Sequence, residues 1–369
     1  MWSGDNKSYF EEVRGSLRIL DGDAHVVEPP DLFGPWTPPG RGVIDLPPTT
    51  PMNLCGDSAK LADQLEHGFD APSYLRAMDA QGIDAAVLFP SMGLFVPFLP
   101  ELTPAESAAA CAAYNDWAAG YCAVDPTRLA AVGVVPRTDL DAAAAETRRA
   151  AEVGLVGVLV RPNHLTDSYF DDPAYDALYA AVADAGLVLA VHEALGVRGP
   201  TIGRDRFESF AARHACSHPL EQMTAATAMF LGGVFERHPE LRVAFLESGT
   251  GWLPYWLHRL DEHREWMRDD ECADLSLAPS EYFARQCVIS CDPDDALAAW
   301  VATQIGADHM IWASDFPHPD AQYPDAVDAF LREVEVHGGL ADSDLQQLLW
   351  QTPLEFYRLA DRFAAPARA

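Results

Sequence analysis

The stretch Leu17-Arg18-Ile19-Leu20-Asp21-Gly22-Asp23-Ala24-His25 decides the fold. It is a short aliphatic run that ends in alternating acid and imidazole residues. An open doubly wound sheet carries a glycine-rich phosphate turn after its first strand, and Asp21 to His25 is not one. Working outward, strands are expected at 17–21, 84–89, 129–135, 155–161, 187–192, 242–247, 286–291 and 309–315. Helices are expected near 72–81, 104–124, 139–153, 173–185, 219–237, 253–267, 293–305 and 322–337, with a last one over 341–363. Parallel strands need crossover connections, so this alternation points to a parallel sheet. The strands are almost wholly apolar, as in a sheet covered on both faces. Closure into a single α/β (β/α)8 TIM barrel accounts for both the count and the length. Residues 1–369 are therefore read as one domain. The Pro-rich segment 26–71 is its lid insertion after strand 1, and 341–369 is a C-terminal helical extension.

Charge narrows the function. Lys and Arg number 25 against 56 Asp and Glu, a formal charge of −31. Nucleic acid is held mainly by basic side chains, and anionic lipid likewise, so neither is an expected partner. No apolar run of about 18 residues lacks charge, and the N-terminus has no positive-then-apolar leader pattern. Seven scattered cysteines without CxxC spacing fit reduced thiols better than a disulfide frame. A cytoplasmic protein is expected.

In such a barrel the chemistry sits at the C-terminal ends of the strands. Strand 1 runs out through Asp23, His25 and Glu28, strand 5 through His192, strand 6 through Glu247, and strand 8 through Asp315, Phe316 and His318. The loop after strand 5 ends in His218-Pro219, read as the start of a helix. In an extended chain Asp23 and His25 leave the same face and can share one ion. His192 and Asp315 supply further ligands from across the barrel, the donor set of a divalent metal. Each group also has a bland reading. Glu28 either organises the Pro-rich loop or is a further ligand. His218 is either a ligand or a helix-terminus residue. His318 either braces Asp315 from behind or touches substrate. Arg161, at the end of strand 4, holds either a substrate carboxylate or an acidic loop. Phe89, Phe95, Phe98, Trp252 and Phe316 form either an apolar substrate wall or ordinary packing.

The segments Asp21 to Pro30, Ala113 to Trp117, Gly157 to Asn163, Val191 to Glu193, Glu247 to Pro254 and Ala313 to His318 form an ordered set along most of the chain. Together they resemble the amidohydrolase-related branch of the amidohydrolase superfamily, which includes aminocarboxymuconate-semialdehyde decarboxylase and the resorcylate-type decarboxylases. The resemblance implies a metal, Zn or Mn, at Asp23, His25, His192 and Asp315, with Asp315 also taking part in proton transfer. It implies a homodimer or larger homo-oligomer as well.

Two departures bear on activity. The decarboxylase-like members carry a histidine at the end of strand 6, where this chain has Glu247, and a glutamate reaches a near-neutral pKa only by strong tuning. The only lysines are Lys7 and Lys60, so the carbamylated strand-4 lysine of the binuclear hydrolases has no counterpart. The rim as a whole resembles that of the superfamily's dinuclear non-heme iron monooxygenases, whose metals sit about 3.5–4 Å apart. On that resemblance Asp23, His25, His192, His218, Glu247 and Asp315 hold two Fe, or Fe and Mn. Glu247, Asp315 and His218 are then the catalytic groups, and Arg161, Phe95, Trp252 and Phe316 contact a small organic, natural-product-like substrate. The expected reaction is C–H hydroxylation with O2 and an external reductant. The alternatives are a single Zn- or Mn-dependent hydrolase or non-oxidative decarboxylase, and a non-catalytic barrel subunit of a hetero-oligomer.

Overall fold

The computed structural model describes residues 14–37, 43–44, 59–318 and 321–363. Residues 38–42 and 45–58 of the expected lid lie outside them, as do 1–13 and the final six of the C-terminal extension. The strands are β1 (Leu20–His25), β2 (Ala85–Phe89), β3 (Leu129–Val134), β4 (Gly157–Val160), β5 (Val188–His192), β6 (Arg242–Leu246), β7 (Cys287–Cys291) and β8 (Met310–Trp312). They follow one another in sequence order around one parallel sheet. Between them run α1 (Ala71–Gln81), α2 (Pro104–Cys122), α3 (Leu140–Glu152), α4 (Asp176–Ala185), α5 (Phe210–Leu231), α6 (Trp252–Trp266), α7 (Pro279–Gln286), α8 (Ala298–Ile305) and α9 (Ala326–Val336). The protein is a (β/α)8 TIM barrel, as the alternation of apolar runs predicts.

The helices begin where side chains satisfy their first free N–H groups. Asp70, Asp139 and Ser209 accept from the backbone at the starts of α1, α3 and α5, and Thr103 forms a reciprocal capping box with Glu106 at α2. Of the strand residues, only Arg242 is not fully buried, which is why these segments read as continuous aliphatic runs. The aliphatic interior makes one core with the inward faces of the helices.

The seam between β8 and β1 is built differently from the rest. No regular ladder joins the two strands. Instead His25 N–H donates to the Phe316 carbonyl (2.7 Å) and Asp315 N–H to the Asp23 carbonyl (3.3 Å). The Asp21 carboxylate adds a side-chain rung by accepting from Ser314 N–H (3.0 Å). A bulge in β1 between Asp21 and Ala24 accompanies this irregular edge.

Several boundaries depart from expectation. His218-Pro219 does not open a helix; it lies inside α5, which starts at Phe210 because Ser209 caps it there. Helix α7 was not anticipated, and its eight residues are too few for a 3.6-residue pattern to stand out. Helix α8 begins at Ala298 rather than 293, because Asp292-Pro293-Asp294-Asp295 forms a turn with Asp295 N–H bonded to the Asp292 carbonyl. The single helix expected over 341–363 is broken into short segments, one of them a π-helical turn at Gln347–Gln351.

Candidate metal centre and active site

Strand β1 ends at the mouth of the barrel, where Asp23 and His25 come together in one group of possible ligands. Each imidazole is oriented by a backbone carbonyl. His25 Nδ1 lies 2.8 Å from the Pro90 oxygen and His192 Nδ1 2.8 Å from the Glu193 oxygen. A carbonyl only accepts, so Nδ1 carries a proton in both rings and Nε2 points inward. The Phe89 ring stacks on His192 at 5.5 Å and fixes its plane.

Four inward atoms have no hydrogen-bond partner although they are buried: Asp23 Oδ1, His25 Nε2, His192 Nε2 and Glu247 Oε2. They surround one point. His192 Nε2 is 3.0 Å from Glu247 Oε2 and 3.4 Å from Asp23 Oδ1, while His25 Nε2 is 3.9 Å from Glu247 Oε2, 4.0 Å from Asp23 Oδ1 and 3.3 Å from Asp315 Oδ1. Two ligands of one ion, each bonded at about 2.1 Å, stand about 3.0 Å apart when adjacent and about 4.2 Å when opposite, so these spacings fit a divalent cation at the centre. A buried polar atom left without a partner costs about 1–3 kcal/mol, and four together need a common partner. The donor set of imidazoles and carboxylates suits Zn or Mn. Asp23, His25 and His192 form one ligand group, and His25, Asp315 and His318 a second that shares His25.

Electrostatics in the cluster follow from the same crowding. Burial favours the neutral form of Glu247, but His192, His218 and His25 outweigh it and hold the carboxyl well below its usual range. Burial lowers His25 strongly, helped by the neighbouring His318 and His192, and keeps it neutral. His192 goes the other way: against burial, Asp23 and Glu247 raise it to about 9. Asp23 is raised, burial outweighing His192.

The remaining expected residues fall into two sets. His218 belongs to the site, with Nε2 3.4 Å from Glu247 Oε1 and Nδ1 3.0 Å from Ser217 Oγ. His318 also belongs: its Nδ1 lies 2.6 Å from Asp315 Oδ1, its Nε2 3.3 Å from Ser91 Oγ, and its ring 4.3 Å from that of His25. Glu28 accepts from Met92 N–H (2.9 Å) and Gly93 N–H (2.8 Å), so it braces the loop after β2 rather than the Pro-rich segment. Arg161 is fully buried and donates to Asn163 Oδ1, the Leu94 carbonyl, Glu193 and the Ala194 carbonyl, so its guanidinium is committed to the protein. Phe95 lies beside that guanidinium, and Phe316 is packed between Tyr74 and Tyr323. Trp252 donates to Ser248 Oγ and meets Phe245 edge-on.

The centre opens into a cavity of about 250 Å³ lined by His214, His218, Glu247, Asp292, Asp294 and Asp315, among others. A wider groove of about 800 Å³ beside His164, Tyr169, Arg204 and Glu221 contains none of the converging ligand atoms. Three site residues escaped the sequence reading. Asp21 supports the centre from behind, bonded to Ser314 N–H and Asp23 N–H. Asp292 follows the last residue of β7 as directly as Glu247 follows β6, and that position was the available signal. His214 sits one helical turn before His218, with the two rings 4.6 Å apart, and became legible only once α5 was seen to start at Phe210.

Comparison with known proteins gives decarboxylases. The chain is 27% identical over 207 residues to the 2-amino-3-carboxymuconate-6-semialdehyde decarboxylase of Dictyostelium discoideum, covering 56% of this chain and 55% of that one. It thus spans little more than half the length of that relative. It is 26% identical over 265 residues to the gamma-resorcylate decarboxylase of Rhodococcus jostii, covering 66% of this chain and 76% of that one. A 5-carboxyvanillate decarboxylase from Novosphingobium aromaticivorans, solved with bound manganese, superposes with a TM-score of 0.73 at 19% identity, over 93% of this chain and 98% of that one. These relatives overturn the monooxygenase reading. Loss of CO2 from an acid with a proton taking its place changes no net oxidation state, so it calls for neither O2, nor an external reductant, nor a redox-active iron pair. Natural-product hydroxylation goes with that reading. The amidohydrolase family model matches residues 20–359, from the first strand past the last helix, and the chain belongs to the amidohydrolase family.

Proposed function

We propose that the protein is a non-oxidative decarboxylase of a small aromatic acid, dependent on one divalent metal, Mn or Zn. The observation that carries this is the convergence of Asp23 Oδ1, His25 Nε2, His192 Nε2 and Glu247 Oε2 on one point beside a small cavity. The decarboxylase relatives and the manganese of one of them support the reading. Asp23, His25, His192 and Asp315 would hold the cation, with Glu247 as a further ligand or acid/base. When bound, the metal supplies Lewis-acid binding for the oxygens of the substrate acid.

The chain's own residues then supply orientation and protons. Ring decarboxylation places a proton on the carbon that bears the carboxylate. The C–C bonding pair returns to the ring and CO2 leaves, so no oxidant enters the balance. Asp315 is placed to give that proton, with His318 at 2.6 Å and Ser91 beyond it as the route for its replacement. Glu247, held by His218 and His192, is a second acid/base in place of the histidine found in decarboxylase-like members. That exchange favours one other reading, hydrolysis of an ester or lactone with Glu247 as the base for water.

The test is anaerobic incubation of Mn- or Zn-loaded protein with a panel of single-ring aromatic acids and esters. Headspace CO2 and products are followed by chromatography. CO2 in step with loss of acid, independent of added O2, is expected. Acid release from esters without CO2 moves the assignment to hydrolysis.

A further inference from the structure

The ladder between β5 and β6 ends at the pair His192 and Leu246, one residue short of Glu247. There the side-chain amide of Gln222 spans the two strands. Its Nε2 donates to the Val191 carbonyl (2.7 Å) and to the Leu246 carbonyl (2.9 Å). Both partners can only accept, so the nitrogen of the amide, and not its oxygen, must face them. Gln222 is fully buried, and its Oε1 has no hydrogen-bond partner among the described residues. The two donated bonds therefore fix the amide.

The peptides it grips are the ones that carry the centre. Val191 precedes His192, and Leu246 precedes Glu247. At the second peptide the Glu247 N–H also donates to Ser290 Oγ of β7 (3.0 Å). The Leu246–Glu247 peptide is thus held at its oxygen from α5 and at its nitrogen from β7. With that plane fixed, the φ of +51° at Glu247 sets where its Cβ and carboxylate stand. Gln222 follows His218 by four residues on α5 and so shares its face of the helix. One helix face therefore meets Glu247 twice, His218 at the carboxylate (3.4 Å) and Gln222 at the peptide.

Resting on the one-metal reading, we propose that Gln222 is a positioning residue of the centre. By tying Val191 to Leu246 it sets the separation of His192 Nε2 and Glu247 Oε2, 3.0 Å, at which both address one cation. Adjacent ligands bonded at about 2.1 Å stand about 3.0 Å apart, so splaying the two strand ends takes one of them out of reach. Gln222 acts through the strands and does not itself line the cavity.

The test is Gln222→Met in the full chain, a change that keeps the length of the side chain and removes its N–H donors. Chelator competition gives the Mn affinity, and electron paramagnetic resonance reports the surroundings of the bound Mn. Circular dichroism and the melting temperature of the metal-free protein record the fold. Mn binding is expected to weaken about 10–100-fold, with a changed Mn spectrum. Gln222→Glu, which can donate at most one of the two bonds, is the second variant, read in the same way should Gln222→Met fail to fold. A folded variant whose Mn affinity and spectrum match those of wild type overturns the inference, whatever its melting temperature, and leaves the one-metal reading in place. A wild-type chain that takes up neither Mn nor Zn overturns both.

Discussion

Glu247 and Asp315 both sit in the left-handed region of backbone space, at φ +51° and +54°. Non-glycine residues held there cost about 1–3 kcal/mol each, a strain that persists only where surrounding structure imposes it. Here two serines impose it: Ser290 Oγ accepts from Glu247 N–H and Ser314 Oγ from Phe316 N–H, both at 3.0 Å. Asp21 works similarly one layer down, tying Ser314 to the strand that carries Asp23 and His25. Replacing it by alanine is expected to weaken Mn binding about 10–100-fold, as for other residues that orient ligands, with Asn intermediate. Chelator competition measures this, and an unchanged Mn affinity would remove Asp21 from that role. At this scale Asp23, His25, His192 and Asp315, the residues proposed as ligands, were legible as a set of polar strand ends, because polar residues at the ends of apolar strands have little other reason to be there. Asp21 and Asp292 were not. The first reads as an ordinary strand residue, and the second stands in a run of acids that looks like solvated surface.

Among the elements, the strands were the easiest to place. Their boundaries follow from burial on both faces, and all eight runs found their strands within a few residues. Strand β8 is the exception in length, at three residues, because its continuation gives up ladder pairing for the turn that holds Asp315. Helix starts were harder. Proline at 219 reads as a start because it suits a first turn, yet α5 accommodates it mid-helix and the true signal was Ser209. At α2 the start expected at 104 coincides with a reciprocal cap between Thr103 and Glu106. Thr103→Ala is expected to cost about 1 kcal/mol, seen as a lower urea midpoint at unchanged slope. An unchanged midpoint would mean that packing alone fixes the start of the 19-residue α2.

For the molecule as a whole, metal and proton are the two ligands that set stability. Metal bound only by the folded state, present at 100 times its dissociation constant, adds about 2.7 kcal/mol. Dialysis against chelator should therefore lower the melting temperature, and Mn or Zn should restore it. A melting temperature indifferent to both would count against the centre. Glu221 sets a pH trend. Burial raises its carboxyl above the usual 4.5, with Ile202 N–H opposing. Its stabilising share is full below that usual value and is lost as pH rises through the folded one. Relative to wild type, Glu221→Gln should therefore gain stability as pH rises above about 4.5. Paired thermal melts over a rising pH series decide it, and a variant that loses ground as pH rises would reverse the sign. At this scale the barrel could be read directly, since strand–helix alternation allows few architectures. The reaction could not, because imidazoles and carboxylates on one rim serve hydrolysis, decarboxylation and O2 chemistry alike.

The unlatticed edge between β8 and β1 ties the ring's closure to its chemistry. The residues that join the two strands are the proposed ligands or their immediate neighbours, so the barrel closes at the candidate centre. Because two of the bonds across that edge run between backbone atoms, the closure depends less on the side chains of the centre than on Asp21, whose carboxylate supplies the third. Amide exchange is expected to show early opening at 20–25 and 313–316 in Asp21→Ala, and much less in a variant of His25 or Asp315.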